Sequence, residues 1–333
     1  MTLRFGLLGA GRIGKVHAKA ISADAGATLV AVADAMAPAA QAISAQYGCE
    51  VRTVDAILAS ADIDAVVICT PTDTHADLIE QFTNAGKAVF CEKPIDLSLD
   101  RVKACLAVVR ANKGTLMVGF NRRFDPHFMA VRAEIDKGSI GDVEMVTISS
   151  RDPGAPPVDY IKRSGGIFRD MTIHDFDMAR FLLGEEITEV AAMAAVLIDP
   201  AIGEAGDSDS VQVMLKTATG KMALISNSRR ATYGYDQRIE VHGSKGVVSA
   251  ENQRPVSIEV ANGLGYTRPP LHDFFMTRYT EAYAAEIAAF IASVSAKTAA
   301  APSGEDGLTA LALAEAALKS VAEGRSVKMS EIL

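Results

Sequence analysis

Residues 3–21 read LRFGLLGAGRIGKVHAKAI and combine a short apolar run, a glycine-rich turn and a helical segment, in that order. The three glycines have the GxGxxG spacing, and each has a physical task in a dinucleotide-binding fold. Gly9 permits a tight turn, Gly11 lets the backbone approach a pyrophosphate, and Gly14 lets the helix pack closely on the strand. The free N–H groups and the positive dipole end of the helix would face the phosphates. The candidate cofactor-binding residues of this turn are Gly9, Gly11, Arg12, Ile13 and Gly14.

A second apolar strand supports this interpretation. Residues 28–33 read TLVAVA and end at Asp34, whose carboxylate can accept hydrogen bonds from the adenosine ribose hydroxyls. The alternative is that Asp34 merely begins the next turn, but both halves of the motif are in register and favour a nucleotide site. Ala35 follows, and no Arg stands there to receive a 2′-phosphate, so NAD is favoured over NADP.

Length and composition limit the classes of protein that fit. A chain of 333 residues is longer than a single hydrophobic core usually supports, so we expect two domains, at residues 1–120 and 121–333. At 49% hydrophobic and 22% charged residues, the composition is that of an ordinary globular protein. The net charge of −8 argues against nucleic acid or an anionic membrane surface as a partner.

The N-terminus and the cysteines indicate the compartment. Met1 and Thr2 lead directly into the first strand, which leaves no room for a signal peptide. No apolar segment approaches the ~18 residues of a membrane span. Four cysteines form no CxxC pair and are predicted to be reduced and structural, so we expect a cytoplasmic protein; they are Cys49, Cys69, Cys91 and Cys105.

The order of elements predicts two architectures. Up to about Phe120, strands and helices alternate, which indicates an α/β domain with a doubly wound parallel sheet whose strand ends share one edge. After Phe120, strands with period-two alternation predict a largely antiparallel or mixed open sheet, and the last of its predicted strands is Val256–Val260. One long helix is predicted from about Asp170 to Leu183. The Ala-rich segments 276–296 and 305–323 are helical and are candidates for packing back on the first domain.

Glu92-Lys93-Pro94 follows the predicted strand at residues 88–91. A lysine at the ligand edge of the sheet can hydrogen-bond a substrate hydroxyl and stabilise a forming alkoxide. Pro94 fixes its own φ angle and restricts Lys93 to extended conformations, which directs the side chain. The alternative is an exposed lysine at the top of a turn.

Asp170 and His174 are four residues apart, so an α-helix would place them on one face. A histidine beside a carboxylate is the usual proton acceptor at neutral pH, because the carboxylate orients the ring and stabilises its charged form. Two alternatives stay open. His174 could be a core histidine, or Asp170, His174 and Asp177 could bind a metal, although so few ligands do not support a metal prediction.

Three polar stretches lie at predicted strand ends. Asn121-Arg122-Arg123-Phe124-Asp125 follows the last strand of the first domain, and its alternative interpretation is a domain junction with a solvated basic pair. Arg151-Asp152-Pro153 and Tyr233-Gly234-Tyr235-Asp236 fit ordinary loop chemistry equally well.

Together these stretches resemble one family over essentially the whole chain. The resemblance to the glucose–fructose oxidoreductase and inositol dehydrogenase family is carried by the glycine turn, Thr70-Pro71 with His75, Glu92-Lys93-Pro94, and Asp170 with His174. Three further stretches are similar to its bacterial inositol dehydrogenase branch, namely residues 119–125, residues 233–236 and residues 168–181, which read FRDMTIHDFDMARF.

The resemblance implies a fold, an activity and a set of roles. It implies an N-terminal Rossmann domain, a C-terminal α+β domain with an open sheet, and a homo-oligomer, frequently a tetramer. The implied activity is reversible, NAD-dependent oxidation of an inositol ring hydroxyl to the ketone. The implied catalytic set is Lys93, Asp170 and His174. The implied polyol pocket adds Arg123, Asp152 and Tyr233 or Tyr235, and the implied cofactor contacts add Thr70, Pro71, His75, Glu92 and Lys93.

Two alternatives to this activity remain. An enzyme of the same build could oxidise another sugar or cyclitol, and a chain that has lost catalysis could act as an NAD-binding regulator. Keeping Lys93, Asp170 and His174 together favours an enzyme, since a sensor has no need of all three.

Overall fold

The chain divides into two compact units in a computed structural model that describes residues 2–333. The first unit runs to Asp125 and adds Thr280–Leu311, and the second comprises Pro126–Tyr279 and Ala312–Leu333. Met1, at which the predicted first domain begins, lies outside the described residues. The first unit extends a few residues beyond the predicted boundary at 120, because the 3₁₀ turn Asn121–Phe124 contacts the helix Thr280–Ala296.

The first unit is built on a six-stranded sheet with the order β3-β2-β1-β4-β5-β6, and every neighbouring pair is parallel. The central strands are buried over almost their whole length, which explains why they read as continuous apolar runs. The predicted doubly wound sheet is therefore confirmed. The strands are β1 Leu3–Leu8, β2 Ala27–Ala33, β3 Glu50–Val51, β4 Ala65–Ile68, β5 Ala88–Cys91 and β6 Leu116–Val118.

Strand order reverses between β1 and β4, and ligands of doubly wound sheets bind at the carboxyl ends beside this point. Helices of this unit pack on the sheet, and two of them begin at side-chain caps: Thr53 Oγ1 accepts from Ala56 N–H, and Ser98 Oγ accepts from Arg101 N–H. The helices are α1 Arg12–Ala23, α2 Ala37–Tyr47, α3 Val54–Ala59, α4 His75–Asn84, α5 Leu99–Ala111, α11 Thr280–Ala296 and the first turns of α12 Gly304–Glu323.

Helix α11 belongs to the first unit, although it follows the second in sequence, because it completes the core of the first. The Phe290 ring lies 6.1 Å from that of Phe5 and 5.8 Å from that of Phe90, so the helix covers the middle of the parallel sheet. Aromatic pairs at these distances add stabilisation beyond the apolar area that they bury.

The second unit contains a seven-stranded sheet with the order β12-β11-β7-β10-β9-β8-β15. Among the described residues of this sheet, β7 and β10 form the only parallel pair, and all other neighbouring strands are antiparallel. The predicted mixed sheet is therefore confirmed. The strands are β7 Val143–Arg151, β8 Ile187–Ala195, β9 Ser210–Thr217, β10 Met222–Ser228, β11 Asp236–Gly243, β12 Gly246–Ala250 and β15 Val327–Lys328, beside a separate hairpin of β13 Val260–Asn262 and β14 Gly265–Thr267.

Strand β7 explains an imperfect alternation in the sequence. Its register against β11 shifts between Met145 and Val143, so Glu144 has no paired residue on β11. This bulge lets both Val143 and Val146 face the core, which strict alternation would forbid.

One sequence prediction for the second unit was wrong. The strand expected at Val256–Val260 does not form before Val260, which begins β13, since Pro255 precedes the segment and its residues are exposed, with no apolar face to bury. The helix expected from about Asp170 to Leu183 is confirmed at Ile173–Leu183, and a π-helical turn, Phe168–Thr172, comes directly before it. The α-helices are α6 Pro126–Asp136, α7 Val158–Ser164, α8 Ile173–Leu183, α9 Pro200–Glu204 and α10 Phe275–Arg278. Among residues 2–333, none of the helices is long and apolar enough to cross a bilayer.

Candidate active site

The glycine turn after β1 shows three different steric environments. Gly9 has a φ of +96°, and a Cβ there would lie 2.5 Å from the Cys69 carbonyl oxygen. A Cβ on Gly14 would lie 2.1 Å from the Gly9 carbonyl oxygen. A Cβ on Gly11 would meet no heavy atom within 4 Å among the described residues. The fold itself therefore requires glycine at positions 9 and 14, whereas position 11 is open on the side where a ligand would lie.

Asp34 lies beside this turn, as the spacing predicted. Its Oδ2 accepts a hydrogen bond from Ala10 N–H at 2.5 Å, and its Oδ1 accepts one from Met36 N–H at 2.7 Å. Helix α1 begins at Arg12, with Gly11 as its N-cap and without an acidic side chain in its first turn. The site thus offers helix N–H groups and a fixed carboxylate, which are the groups that bind a pyrophosphate and a ribose.

His75 links the turns that follow β4 and β5. Its ring is 2% exposed, with Nε2 2.8 Å from the Thr70 carbonyl oxygen and Nδ1 2.8 Å from that of Pro94. Burial lowers the pKa of His75. Because both ring nitrogens meet backbone carbonyls, the side chain holds Thr70-Pro71 next to Lys93-Pro94 and would act on a cofactor only through these turns.

The Glu92 side chain lies against α1. Its carboxylate is 2.7 Å from Nε2 of His17, a residue that the sequence analysis did not single out. Lys93 is half-buried at the carboxyl end of β5, on the same sheet edge as the glycine turn. Because its carboxylate contacts His17, Glu92 would act on a cofactor through neighbouring residues.

Arg123 forms an ion pair with Asp306 at 3.1 Å, and its side chain is 12% exposed.

In the second unit, α8 is fixed to the end of the sheet by a buried carboxylate. Asp175 accepts hydrogen bonds from Ser150 Oγ of β7 at 2.7 Å and from Asn227 Nδ2 of β10 at 2.8 Å. His174 precedes Asp175 and is half-buried. Asp170 lies in the π-helical turn, a distortion that is frequent at functional sites.

Asp170 is held by two residues that the sequence did not reveal. Tyr160 Oη donates to its Oδ1 at 2.9 Å, and both terminal nitrogens of Arg229 lie 3.4 Å from its Oδ2. Arg229 is 1% exposed and also lies 3.7 Å from Asp207. The buried guanidinium therefore links the two carboxylates. Asp170 and Arg229 are 59 residues apart in the sequence, so no local sequence pattern predicts their contact.

The remaining predicted pocket residues lie at the same end of the seven-stranded sheet. Asp152 N–H donates to the Ser228 carbonyl where β7 and β10 end. Tyr233 Oη donates to Asp236 at 2.5 Å and accepts from Arg151 at 2.9 Å, and its side chain is half exposed. Partial burial and the Asp236 carboxylate raise the pKa of Tyr233.

Tyr235 has a different environment from Tyr233. It is 6% exposed, with its ring 5.5 Å from that of Phe274 and 6.0 Å from that of Tyr279. Tyr233 lines an open cavity of about 390 Å³, whereas Tyr235 belongs to an aromatic cluster. The two tyrosines of the predicted pair are thus distinguished by their packing.

Metal-type ligands cluster elsewhere than the sequence suggested. Asp177 is buried on α8, and in the part of the chain that the structure describes, the group with suitable spacing is His17, Glu92 and Glu286 of the first unit. No three-residue group of this kind includes Asp170, His174 or Asp177 among residues 2–333.

The glycine turn allows a paired test of nucleotide binding. Gly11→Ala is expected to leave the free energy of unfolding unchanged, because its Cβ meets no neighbouring atom, but to weaken NAD binding about ten- to a hundredfold by overpacking the nucleotide site. Gly14→Ala is expected to destabilise the protein itself by about 1–3 kcal/mol. Calorimetric titration with NAD and chemical unfolding measure the two effects. Unchanged NAD affinity in Gly11→Ala would contradict the assignment.

Comparison with known proteins gives consistent results over both units. Residues 3–120 match the family model "Oxidoreductase family, NAD-binding Rossmann fold", and residues 132–329 match "Oxidoreductase family, C-terminal alpha/beta domain". An inositol 2-dehydrogenase of Rhizobium meliloti (strain 1021) is 76% identical, and the match covers 99% of this chain and 100% of that protein.

Solved structures are similar as well. A myo-inositol dehydrogenase from Corynebacterium glutamicum ATCC 13032 superposes with a TM-score of 0.95 at 44% identity, covering 98% of this chain and 99% of that one. A scyllo-inositol dehydrogenase from Lactobacillus casei, solved with NAD(H) and scyllo-inositol, gives a TM-score of 0.92 at 31% identity, covering 99% of this chain and 100% of that one.

Proposed function

Because this chain belongs to the oxidoreductase family of an NAD-binding Rossmann fold and a C-terminal alpha/beta domain, we propose that it oxidises the C2 hydroxyl of myo-inositol to the ketone. Its class is that of an NAD-dependent oxidoreductase acting on CH–OH groups. The choice of substrate is based on the 76% identity to the inositol 2-dehydrogenase described above, which extends over nearly the whole of both chains.

The first unit supplies the groups that NAD requires. The open side of Gly11 and the start of α1 would accommodate the pyrophosphate, and Asp34 would accept hydrogen bonds from the ribose. When bound, NAD⁺ supplies the hydride acceptor. Thr70 and Pro71, fixed by His75, form the neighbouring turn on the same edge of the sheet.

The chemistry of the ring hydroxyl requires a proton acceptor and a group that stabilises developing negative charge. His174 takes the hydroxyl proton, and Asp170 stabilises the charged imidazole. Lys93 donates to the hydroxyl oxygen and stabilises the alkoxide. Tyr160 and Arg229 hold Asp170 in one orientation, which supports this division of roles.

The proposed substrate-binding residues are all polar. A polyol carries several hydroxyls and no charge, so each hydroxyl needs a polar partner, and an unpaired group lowers affinity and discrimination. Arg123, Asp152 and Tyr233 fill these roles. Tyr233 is chosen over Tyr235 because it is half exposed, while Tyr235 is buried among aromatic rings.

A panel of initial rates tests the proposal. Purified protein is assayed by NADH absorbance with myo-inositol, scyllo-inositol and glucose, each with NAD⁺ and with NADP⁺. We expect the highest kcat/KM for myo-inositol with NAD⁺ and far less for glucose. A higher value for another cyclitol would replace the substrate, and no turnover on any polyol would favour an NAD-binding regulator.

The outer face of the seven-stranded sheet supports a homo-oligomer, which we propose to be a tetramer acting in the cytoplasm. Large apolar side chains are exposed side by side on neighbouring strands of this face: Met145 and Met222 are paired in register, as are Met214 and Leu224. Contiguous exposed apolar patches of this kind mark interaction sites.

Leu224→Lys is expected to dissociate the assembly, because burying an unpaired ammonium in an apolar interface is costly. Light scattering coupled to gel filtration should show a smaller particle than for the wild-type protein. Val321→Lys, at a partly exposed apolar position on α12 rather than on a strand of the sheet, is the matched control and should leave the particle mass unchanged. An unchanged mass for Leu224→Lys would exclude this face.

A further inference from the structure

Three ionisable side chains of the first unit meet beneath the turn that carries Lys93. Glu92 is the residue before Lys93, and its carboxylate Oε1 lies 2.7 Å from His17 Nε2. A Cβ on Gly119 would come within 3.2 Å of the Glu92 carboxyl group. The Glu92 side chain is therefore confined between α1 and the chain that follows β6. These contacts hold the turn at residues 92–94 in place.

His17 is the donor in this contact. Its ring is fully buried and packs edge-on against the rings of Phe90, at 5.1 Å, and Tyr283, at 5.7 Å. Its Nδ1 meets no hydrogen-bond partner among the described residues. An imidazolium would therefore bury an unpaired N–H, so the neutral ring with its proton on Nε2, donating to Glu92, is favoured.

Glu286 of α11 is the third member of the group. It is fully buried, its Oε1 lies 4.0 Å from His17 Nε2, and neither carboxyl oxygen has a hydrogen-bond partner in residues 2–333. A second carboxylate in the same apolar space would be costly. Burial and the charge of Glu92 raise the pKa of Glu286 well above its ordinary value.

The other titratable groups near the cluster add no charge to it. Cys69 follows β4, and Cys91 ends β5; burial and the nearby carboxylates raise the pKa of both thiols, so they are neutral at physiological pH. Tyr283 of α11 packs its ring edge-on against His17. The cluster then carries one negative charge, located on Glu92.

We propose that His17 and Glu286 are positioning residues for Lys93, with His17 holding the Glu92 carboxylate and Glu286 present as a neutral acid that keeps the cluster at a single negative charge. The inference rests on the proposed role of Lys93 in catalysis. Ionisation of Glu286 would place two carboxylates around one neutral histidine and loosen the turn from which Lys93 extends.

The pH dependence of stability follows from the protonation of Glu286. In the unfolded chain a Glu ionises near pH 4.3, whereas in the folded protein Glu286 stays protonated to higher pH. Its contribution to stability is therefore complete below the unfolded pKa and is lost as pH rises through the folded pKa. In this window, the wild-type folding constant falls about tenfold per pH unit, or about 1.4 kcal/mol.

The test compares wild-type protein with Glu286→Gln by urea unfolding from about pH 5 to about pH 8. Glutamine keeps the shape but cannot ionise, so the ratio of the wild-type to the variant folding constant should fall about tenfold per pH unit. Glu281→Gln, at an exposed site on the same helix, is the matched control and should give parallel curves. Parallel curves for Glu286→Gln would overturn the proposal. The assay needs no substrate, so it stands apart from the proposed activity.

A second readout separates positioning from mere stability. His17→Leu removes the donor to Glu92 and is expected to lower kcat at least about tenfold with little change in the KM for inositol, and His17→Gln, which keeps an N–H donor, should recover part of kcat. Equal kcat losses in the two variants would count against positioning. Stoichiometric metal in the purified protein, with a Tm rise on adding Mn²⁺ or Zn²⁺ that Glu286→Gln abolishes, would also overturn the proposal, because a bound cation would then neutralise the cluster.

Discussion

His174→Ala is expected to lower turnover by about two to four orders of magnitude, the usual contribution of a general acid–base group. The variant loses the imidazole that accepts the hydroxyl proton, while α8 remains fixed to the sheet through Asp175 and its partners on β7 and β10. NAD affinity, measured by calorimetric titration, should stay at the wild-type value, since the proposed cofactor residues belong to the first unit.

A second histidine provides the control. His242 is half exposed on β11 and lies 3.4 Å from Glu144, so His242→Ala should leave turnover close to that of the wild-type protein. Near wild-type turnover of His174→Ala would remove His174 from the mechanism and favour the interpretation of a core histidine.

Arg229→Met is expected to lower the free energy of unfolding by about 3–5 kcal/mol and to reduce turnover as well. The guanidinium is 1% exposed, and its loss would leave Asp170 and Asp207 without the charge that they share. Removing one partner of a buried ion pair has a cost of this size because the other charge stays buried and uncompensated. Urea unfolding and steady-state kinetics give the two readouts.

Two further variants separate the structural role of Arg229 from its role at Asp170. Arg230→Met, at the exposed neighbouring position, should change the free energy of unfolding by no more than about 0.5 kcal/mol. Arg229→Met combined with Asp207→Asn should recover part of the stability, because one buried charge is removed, but not the turnover, because Asp170 still lacks the guanidinium. Full turnover in Arg229→Met would show that Asp170 does not depend on this contact.

Features governed by local sequence could be predicted. Gly9 and Gly14 are needed because backbone atoms of neighbouring turns leave no space for a Cβ, and Asp34 follows because β2 ends beside the same turn. The strands β4 and β5 are continuous apolar runs, which is typical of a parallel sheet covered on both faces. The position of Lys93 at a strand end follows from the same alternation of elements.

Features that depend on distant contacts could not be predicted. Arg229 reaches Asp170 across the second unit, and Glu286 reaches His17 and Glu92 from a helix near the other end of the chain. The π-helical turn at Phe168–Thr172 and the bulge in β7 are single-residue changes of period that a short window of sequence averages out. His75 could be selected by its resemblance to a motif, but its contact with the Pro94 carbonyl is a property of the folded chain.

Deuterium labelling follows the transfer of hydrogen from the inositol ring to NAD⁺. Purified protein is incubated with NAD⁺ and myo-inositol that carries deuterium on C2, and the NADH is examined by mass spectrometry. We expect one deuterium per NADH formed and a slower rate than with unlabelled myo-inositol. Unlabelled NADH would show that another ring position is oxidised, and no NADH at all would contradict the assignment of inositol as substrate.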